Sequence, residues 1–237
     1  MHGYILVNKP KGWTSFDVVA KIRGMVRAAN RQAMATGASD GQPLAKRVKV
    51  GHTGTLDPMA TGLLVVLVGN YTKRATELSK LDKTYEVTMK LGQTSTTGDE
   101  EGDKTTVSDQ QPSSAEVAAA LQKFTGHIMQ TPPAFSAMKI NGKRAYELAR
   151  AGQEVKLEAR PVTIHSSELT SYSYPFVYFT CHVSSGTYIR SLVEDLGREL
   201  KTGAYMSDLR RTTIGQFRLD DASTLDTINL PRDVQCL

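Results

Sequence analysis

The feature that most constrains the fold is an unbroken aliphatic run at residues 63–68, Leu-Leu-Val-Val-Leu-Val. Side chains alternate between the two faces of a strand, so a run without a polar position fits a strand that is buried on both faces. We therefore predict a strand over residues 61–69, and we expect the segment just before it to lie at the edge of the core.

The segment before this strand, residues 51–62, places one carboxylate, Asp57, among three glycines and three threonines. Glycine lets the backbone approach a ligand closely, and threonine hydroxyls both donate and accept hydrogen bonds. This composition is typical of a built site. Asp57 followed by Pro58 is also a favoured way to begin a helix or a turn, and the local pattern leaves both interpretations open.

Composition limits the class of protein. The 237 residues are 40% hydrophobic and 22% charged, and no apolar run approaches 18 residues, which indicates a soluble globular chain without a membrane span. The N-terminal residues lack the pattern of a secretory signal, so we expect a cytoplasmic protein. Two cysteines and five histidines without metal-ligand spacing predict neither a disulfide framework nor a bound metal.

The net charge is +5, the sign that favours polyanions. A segment at about 28–49 is basic and poor in large apolar residues, so we expect a surface excursion that can contact phosphates. An acidic cluster is expected at a solvated hairpin tip; it consists of Asp99, Glu100, Glu101 and Asp103. Neither a P-loop nor a dinucleotide-binding glycine motif is present, so no nucleotide cofactor is expected.

Helical and strand patterns alternate without a regular βαβ rhythm. They predict a helix over about 14–26, a helix over 113–124 that begins with a capping box, and two antiparallel strands over 162–174 and 176–184. We therefore expect one α/β (α+β) domain over residues 1–237, with a mixed, largely antiparallel sheet flanked by helices.

Six separated strings, in order along nearly the whole chain, resemble one family, the TruB-type tRNA pseudouridine synthases. They are residues 9–15 (KPKGWTS), 51–64 (GHTGTLDPMATGLL), 83–86 (KTYE) with 91–92 (LG), 132–137 (PPAFSA) with 145–146 (AY), 185–190 (SGTYIR) and 209–211 (LRR). The resemblance implies a pseudouridine-synthase-like catalytic domain.

The resemblance also implies a reaction. The family converts uridine to pseudouridine in the T-loop of tRNA, at position 55: it cleaves the bond between C1′ and N1, rotates the base and rejoins it through C5. No cofactor is implied, and the expected partner is the T-arm of tRNA, with no obligate protein partner and a monomeric enzyme.

Three catalytic residues follow from the matched positions. Asp57 occupies the position of the catalytic aspartate, which attacks C1′ or removes a ribose proton to give a glycal; the sequence leaves both routes open. Arg190 matches the arginine that pairs with this aspartate and favours its charged form. Tyr85 matches the tyrosine that stacks on the flipped uracil.

Other matched positions imply binding and support. His52 and Leu209 are expected beside the displaced bases and the target base, and Arg210 and Arg211 are expected to support the pocket or contact RNA. An arm at about 131–152 resembles an RNA-clasping insertion; its expected phosphate contacts are Lys139, Lys143 and Arg144. The first motif is expected to be structural; its residues are Lys9, Pro10 and Gly12.

The chain departs from the family pattern in two places. The 28–49 segment is longer than in many bacterial members, and after residue 222 we expect no C-terminal PUA-type RNA-binding domain, which many relatives carry. Three alternatives stay open: a tRNA-folding chaperone, the catalytic subunit of a guide-RNA-dependent complex, and a glycosidase. The last is disfavoured because glycosidases ordinarily use a pair of carboxylates.

Overall fold

The structure is a computed structural model that describes residues 1–35, 48–136, 138–140 and 142–236. Its α-helices are α1 (Ser15–Ala35), α2 (Ala75–Ser79), α3 (Ser114–Lys123), α4 (Ala145–Arg150) and α5 (Ile189–Glu199). Its strands are β1 (Gly3–Lys9), β2 (Val50–His52), β3 (Thr61–Val68), β4 (Lys83–Leu91), β5 (Gln93–Ser95), β6 (Lys104–Thr106), β7 (Gly126–Gln130), β8 (Lys139–Ile140), β9 (Lys143–Arg144), β10 (Arg160–Ser173), β11 (Phe176–Val183), β12 (Ala204–Ile214), β13 (Phe217–Arg218) and β14 (Ser223–Thr224). Short 3₁₀ helices cover Gly69–Arg74 and Leu219–Asp221.

The chain divides into two compact units. The first comprises residues 1–81 and 210–237, so it contains both ends of the chain, and the second comprises residues 82–209. Strand β12 contributes residues 204–209 to the second unit and residues 210–214 to the first. The single catalytic domain expected from the sequence stays a prediction. Among the described residues, no helix is both long and apolar enough to cross a membrane.

Strand β3 organises the first unit. It pairs antiparallel with β1 and β2 and parallel with β12, and β14 adds a parallel strand on the far side of β1. Side chains at 64, 66 and 68 enter one apolar cluster with helix α1, and those at 63, 65 and 67 enter another. The predicted strand buried on both faces is therefore confirmed.

Helix α1 is longer than the sequence analysis predicted. It continues past Val26 to Ala35, so residues 28–35 of the expected surface excursion are helical. The stretch from Arg27 to Ala35 is rich in alanine, arginine and glutamine, which favour helix without supplying large apolar side chains. Residues 36–47 of the excursion lie outside the described residues.

The second unit holds the strand order β12-β4-β11-β10-β7, and its pairs β4–β11, β11–β10 and β10–β7 are antiparallel. Helix α3 packs against β10, and helix α5 packs against β4. The mixed, largely antiparallel sheet flanked by helices is confirmed.

The acidic cluster is only partly solvated, contrary to the expectation. Glu100, Glu101 and Asp103 are exposed, but Asp99 is 3% exposed. Its carboxylate accepts a hydrogen bond from the Thr97 hydroxyl at 2.5 Å and one from the Glu101 N–H at 3.1 Å. The sequence pattern could not reveal this, because the carboxylate also lies 3.6 Å from the guanidinium of Arg190, which is distant in the chain.

Helix α3 provides a test of the capping interpretation. The Ser113 hydroxyl accepts from the Glu116 N–H, and the Glu116 carboxylate accepts from the Ser113 N–H. We expect Ser113→Ala to lower the free energy of unfolding by about 1 kcal/mol, because it removes the N-cap acceptor. Urea denaturation followed by circular dichroism measures the change. Ser114→Ala, at the exposed neighbouring position, is the control, and an equal loss in both variants would contradict the capping role.

Candidate active site

Asp57 lies in the loop between β2 and β3 and is half-buried. The Ala60 N–H donates to the Asp57 carbonyl at 3.1 Å, which closes a turn over Pro58 and Met59. Strand β3 follows this turn directly, so Asp57 starts a turn and no helix. The structure confirms the turn that this Asp-Pro pair favours and shows no helix start, and the interpretation as a built site stays a prediction.

Lys9 fixes one side of this loop. Its side chain is fully buried, and its ammonium donates to the carbonyls of Trp13 at 2.6 Å, Pro10 at 3.0 Å and Pro58 at 3.2 Å. The Gly12 N–H donates to the same Pro58 carbonyl at 2.8 Å. A buried ammonium requires hydrogen-bond acceptors, and here they include the residue that directly follows Asp57. The structural role expected for the first motif agrees with these contacts.

Arg211 fixes the other side. It is 1% exposed, and its guanidinium donates to the carbonyls of Leu63 at 2.8 Å, Gly54 at 3.1 Å and Thr55 at 3.3 Å. A planar guanidinium can serve several carbonyls at once because its donors point in fixed directions. Arg210, the adjacent residue, is exposed. The two arginines, grouped together in the sequence analysis, therefore have different environments.

Ser15 connects the loop to the start of helix α1. Its hydroxyl donates to the Leu56 carbonyl at 3.0 Å and accepts from the Leu56 N–H at 2.8 Å. The Asp17 N–H donates to the Thr14 hydroxyl at 3.0 Å, which caps the helix one residue earlier and sets the position of Ser15. The residue before Asp57 is thus held through both of its backbone groups.

His52 lies at the end of β2, on the chain leading into the loop. Its Nδ1 accepts a hydrogen bond from the Gly54 N–H at 3.2 Å. Burial, and secondarily the positive charge of Arg211, lower the pKa of the His52 imidazole from its ordinary value. Both effects favour a neutral ring, which suits the expected role in substrate binding. That role stays a prediction.

The second unit holds Tyr85 and Arg190, both buried. The Arg190 guanidinium donates to the carbonyls of Phe135 at 2.8 Å and Thr97 at 3.2 Å, and it lies 3.6 Å from the carboxylate of Asp99. Sequence reasoning missed Asp99, because an acid at a hairpin tip is usually solvated. The expected pairing of Arg190 with Asp57 stays a prediction.

The remaining expected contacts also lie in the second unit. Leu209 is buried near the end of the β12 segment that belongs to this unit. The arm carries a small hairpin in which Lys139 pairs with Arg144, and the side chains of Lys139, Lys143 and Arg144 are exposed. Arg144 also stacks over the ring of Tyr146 at 5.8 Å. Exposed cations beside an aromatic ring are suited to contact RNA.

Two family models match this chain and identify its protein family. The model of the TruB family pseudouridylate synthase N-terminal domain matches residues 42–189, and that of the tRNA pseudouridylate synthase B C-terminal domain matches residues 190–231. The chain belongs to the TruB family. The resemblance noted from the sequence is therefore confirmed.

Similar proteins in two bacteria extend this result. The chain is 43% identical over 229 residues to the tRNA pseudouridine synthase B of Burkholderia mallei, covering 97% of this chain and 70% of that protein. It is 45% identical over 228 residues to the tRNA pseudouridine synthase B of Chlorobaculum tepidum, covering 95% and 88%. The sequence similarity to both relatives thus extends over most of this TruB-family chain.

Solved structures confirm the fold. A crystal structure of a Cbf5-Nop10-Gar1 complex matches with a TM-score of 0.68 and 28% identity, and an H/ACA RNP bound to a substrate RNA containing 2′-deoxyuridine matches with a TM-score of 0.65 and 26% identity. Each match covers 94% of this chain. The chain spans about half the length of these solved chains, 52% and 51%.

Arg211 allows a direct test of how the loop is held. We expect Arg211→Lys to accelerate hydrogen exchange at the Leu56 and Ala60 amides by about tenfold, because one ammonium cannot reproduce the guanidinium's reach to three carbonyls and the loss of one charged hydrogen bond is worth about 1.5 kcal/mol. Amide exchange measured by NMR or mass spectrometry gives the change.

The control is Arg210→Lys, the same substitution at the exposed neighbour. Exchange that is unchanged in Arg211→Lys, or equally faster in both variants, would show that the buried guanidinium does not hold the loop.

Proposed function

We propose that this TruB-family protein isomerises uridine to pseudouridine in tRNA, at the T-loop uridine of position 55. The observation that carries the proposal is the half-buried Asp57, in a loop fixed by Lys9, Ser15 and Arg211. Relatives at 43% and 45% identity carry the name tRNA pseudouridine synthase B, which supports the substrate class.

The reaction breaks one bond to the ribose and forms another. The bond from C1′ to N1 of uracil breaks, the base turns, and a bond from C1′ to C5 forms. The proton on C5 is then lost and N1 gains a proton, so the composition of the nucleotide is unchanged. The chemistry on the protein side requires an ionised carboxylate close to the sugar and a group that accepts the C5 proton.

Asp57 supplies that carboxylate. Its backbone is restrained on both sides, through Leu56 and through Pro58, so the position from which its side chain extends is set before the RNA binds. Preorganised groups accelerate reactions because less reorientation is needed in the transition state. The loop serves both routes left open by the sequence: attack of Asp57 on C1′, or removal of a ribose proton to give a glycal.

Tyr85 and Arg190 complete the proposed catalytic set. Tyr85 would stack on the extruded uracil and take part in removing the C5 proton, and Arg190 would favour the ionised form of Asp57. Burial of Arg190 supports its role, since charge pairing is stronger away from water, and Tyr85 supplies an aromatic ring of the kind on which extruded bases stack. His52 and Leu209 would contact the displaced bases and the target base.

RNA binding would rest on the arm. Lys139, Lys143 and Arg144 are exposed on or beside its hairpin, and phosphate contacts of this kind position RNA without reading its sequence. The T-arm as the bound element, the monomeric state and the cytoplasmic location stay predictions.

The likeness to Cbf5 complexes favours a second candidate, the catalytic subunit of a guide-RNA-dependent complex. The tRNA synthase proposal is preferred because its relatives are more similar, at 43% to 45% identity against 28%. A chaperone that folds tRNA without modifying it is the third possibility, and the same assay separates all three.

We expect the purified protein alone to form pseudouridine in an unmodified tRNA transcript, at the T-loop uridine. Asp57→Asn should lower the rate by more than about 10³-fold, because the amide keeps the size of the side chain but cannot act as a nucleophile or base. Carbodiimide-based primer extension locates the product.

The control is tRNA affinity, measured by filter binding, which Asp57→Asn should leave within about twofold of wild type. Product only after addition of a guide RNA would favour the second candidate. Folded wild-type protein that binds tRNA and forms no product would favour the chaperone.

The arm gives an independent prediction. Lys143→Ala should weaken binding of all tRNAs by a similar factor and reduce the slope of log affinity against log salt concentration by about 0.7 to 1, the amount expected for one lost phosphate contact. Lys156→Ala is the control, since Lys156 is also exposed and lies 3.4 Å from Glu154. An unchanged slope in Lys143→Ala would remove this lysine from the RNA contacts.

A further inference from the structure

Two histidines and one carboxylate, none of them among the residues assigned to the reaction, meet at one place in the second unit. They are Asp82, His165 and His182, and one ligand atom from each lies within 4.8 Å of the others. Asp82 directly precedes β4, His165 belongs to β10 and His182 to β11. Two strands and the residue just before a third strand therefore supply one side chain each.

Strand pairing explains why these distant residues meet. His182 on β11 lies opposite Thr84 on β4. Thr84 is two residues after Asp82, so the pairing brings His182 near Asp82. The β10–β11 register shifts between Ile164 and Ser166, so His165 is the extra residue of a local irregularity. Such irregularities redirect a side chain relative to the regular alternation of the strand.

The geometry is close to that of a metal site. The His165 Nε2 lies 3.1 Å from a carboxylate oxygen of Asp82, and the two imidazole rings are 4.7 Å apart with a tilt of 38°. Tetrahedral ligands at about 2.0–2.1 Å from Zn²⁺ are separated by about 3.3 Å. The pair of His165 and Asp82 is close to this spacing at 3.1 Å, and the ligand atom of His182 lies within 4.8 Å of both.

The chemistry of the donors indicates which ion fits. Two imidazole nitrogens with one carboxylate oxygen suit Zn²⁺, Co²⁺ and Ni²⁺, whereas Mg²⁺ and Ca²⁺ prefer oxygen ligands throughout. The side chains of His165 and Asp82 are 37% and 44% exposed, so an ion can reach them from solvent. Water can then complete the coordination, as in sites with three protein ligands.

We propose that Asp82, His165 and His182 form a binding site for a divalent transition-metal ion of the Zn²⁺ type. Binding ties Asp82, which is next to the start of β4 and three residues before Tyr85, to β10 and β11, and so stabilises the second unit. The sequence predicts no metal here because the ligands stand 83 and 17 positions apart, outside the short spacings by which metal motifs are recognised.

The experiment titrates Zn²⁺ into untagged, chelator-treated protein and records binding by calorimetry and the thermal midpoint by circular dichroism. A Cys236→Ser background removes the exposed thiol, which is a competing zinc ligand. We expect one ion per chain, a rise of the midpoint with Zn²⁺, and no rise with Mg²⁺ at the same concentration.

Single variants then assign the ion to the cluster. His165→Ala, His182→Ala and Asp82→Asn should each weaken Zn²⁺ binding by about tenfold or more, since even the loss of an outer hydrogen-bond partner costs about 10–100-fold. His127→Ala is the matched control: this histidine lies on β7 of the same unit, and its Nδ1 contacts the Thr163 hydroxyl at 3.0 Å.

Two results would overturn the proposal: wild type without saturable Zn²⁺ binding, or cluster variants that bind as tightly as wild type. Circular dichroism in the presence of chelator checks that each variant is folded. If His182→Ala is unfolded, Asp82→Asn and His165→Ala provide the test. Binding of Co²⁺ gives a second readout, because its absorption spectrum reports nitrogen and oxygen coordination directly.

Discussion

One row of three residues holds the loop that carries Asp57. Gly62 pairs with Lys9 on β1 and with Arg211 on β12, so the two buried cations flank it across neighbouring strands. Gly62 has a φ of +101°, and a Cβ at this position would overlap the backbone of Arg211. Because glycine alone fits there, the strands can approach closely enough for both cations to reach the loop.

Burial of two cations is costly unless polar groups surround them, since the desolvation penalty is on the order of several kcal/mol per ion. Lys9 meets three carbonyls and Arg211 meets three others, and loop residues Gly54, Thr55 and Pro58 supply half of these acceptors. The loop therefore cannot move without leaving a buried charge poorly solvated. This coupling between core charges and loop carbonyls fixes the backbone at Asp57. It does not depend on contacts of the Asp57 carboxylate.

Features that depend on residues close together in the sequence were predictable. The aliphatic run gave the strand buried on both faces, the Ser113–Glu116 pair gave the capped helix, and the six motif strings gave the family. Two kinds of feature were not. The extension of helix α1 to Ala35 rests on alanine-rich residues that resemble a loop when apolar periodicity is the criterion. The burial of Asp99 involves Arg190, which is distant in the chain. The cluster of Asp82, His165 and His182 exists only after β4, β10 and β11 have paired.

The buried cations Lys9 and Arg211 set the position of Asp57 for catalysis and do not bind RNA. The single-turnover rate of pseudouridine formation at saturating enzyme tests this for Lys9→Met and for Lys11→Met, a substitution at an exposed lysine of the same motif. We expect Lys9→Met to slow conversion by about tenfold to 10²-fold, since small misplacements of a catalytic group have costs of this size, whereas Lys11→Met should convert bound tRNA at the wild-type rate. A folded Lys9→Met protein that converts bound tRNA as fast as wild type would contradict it.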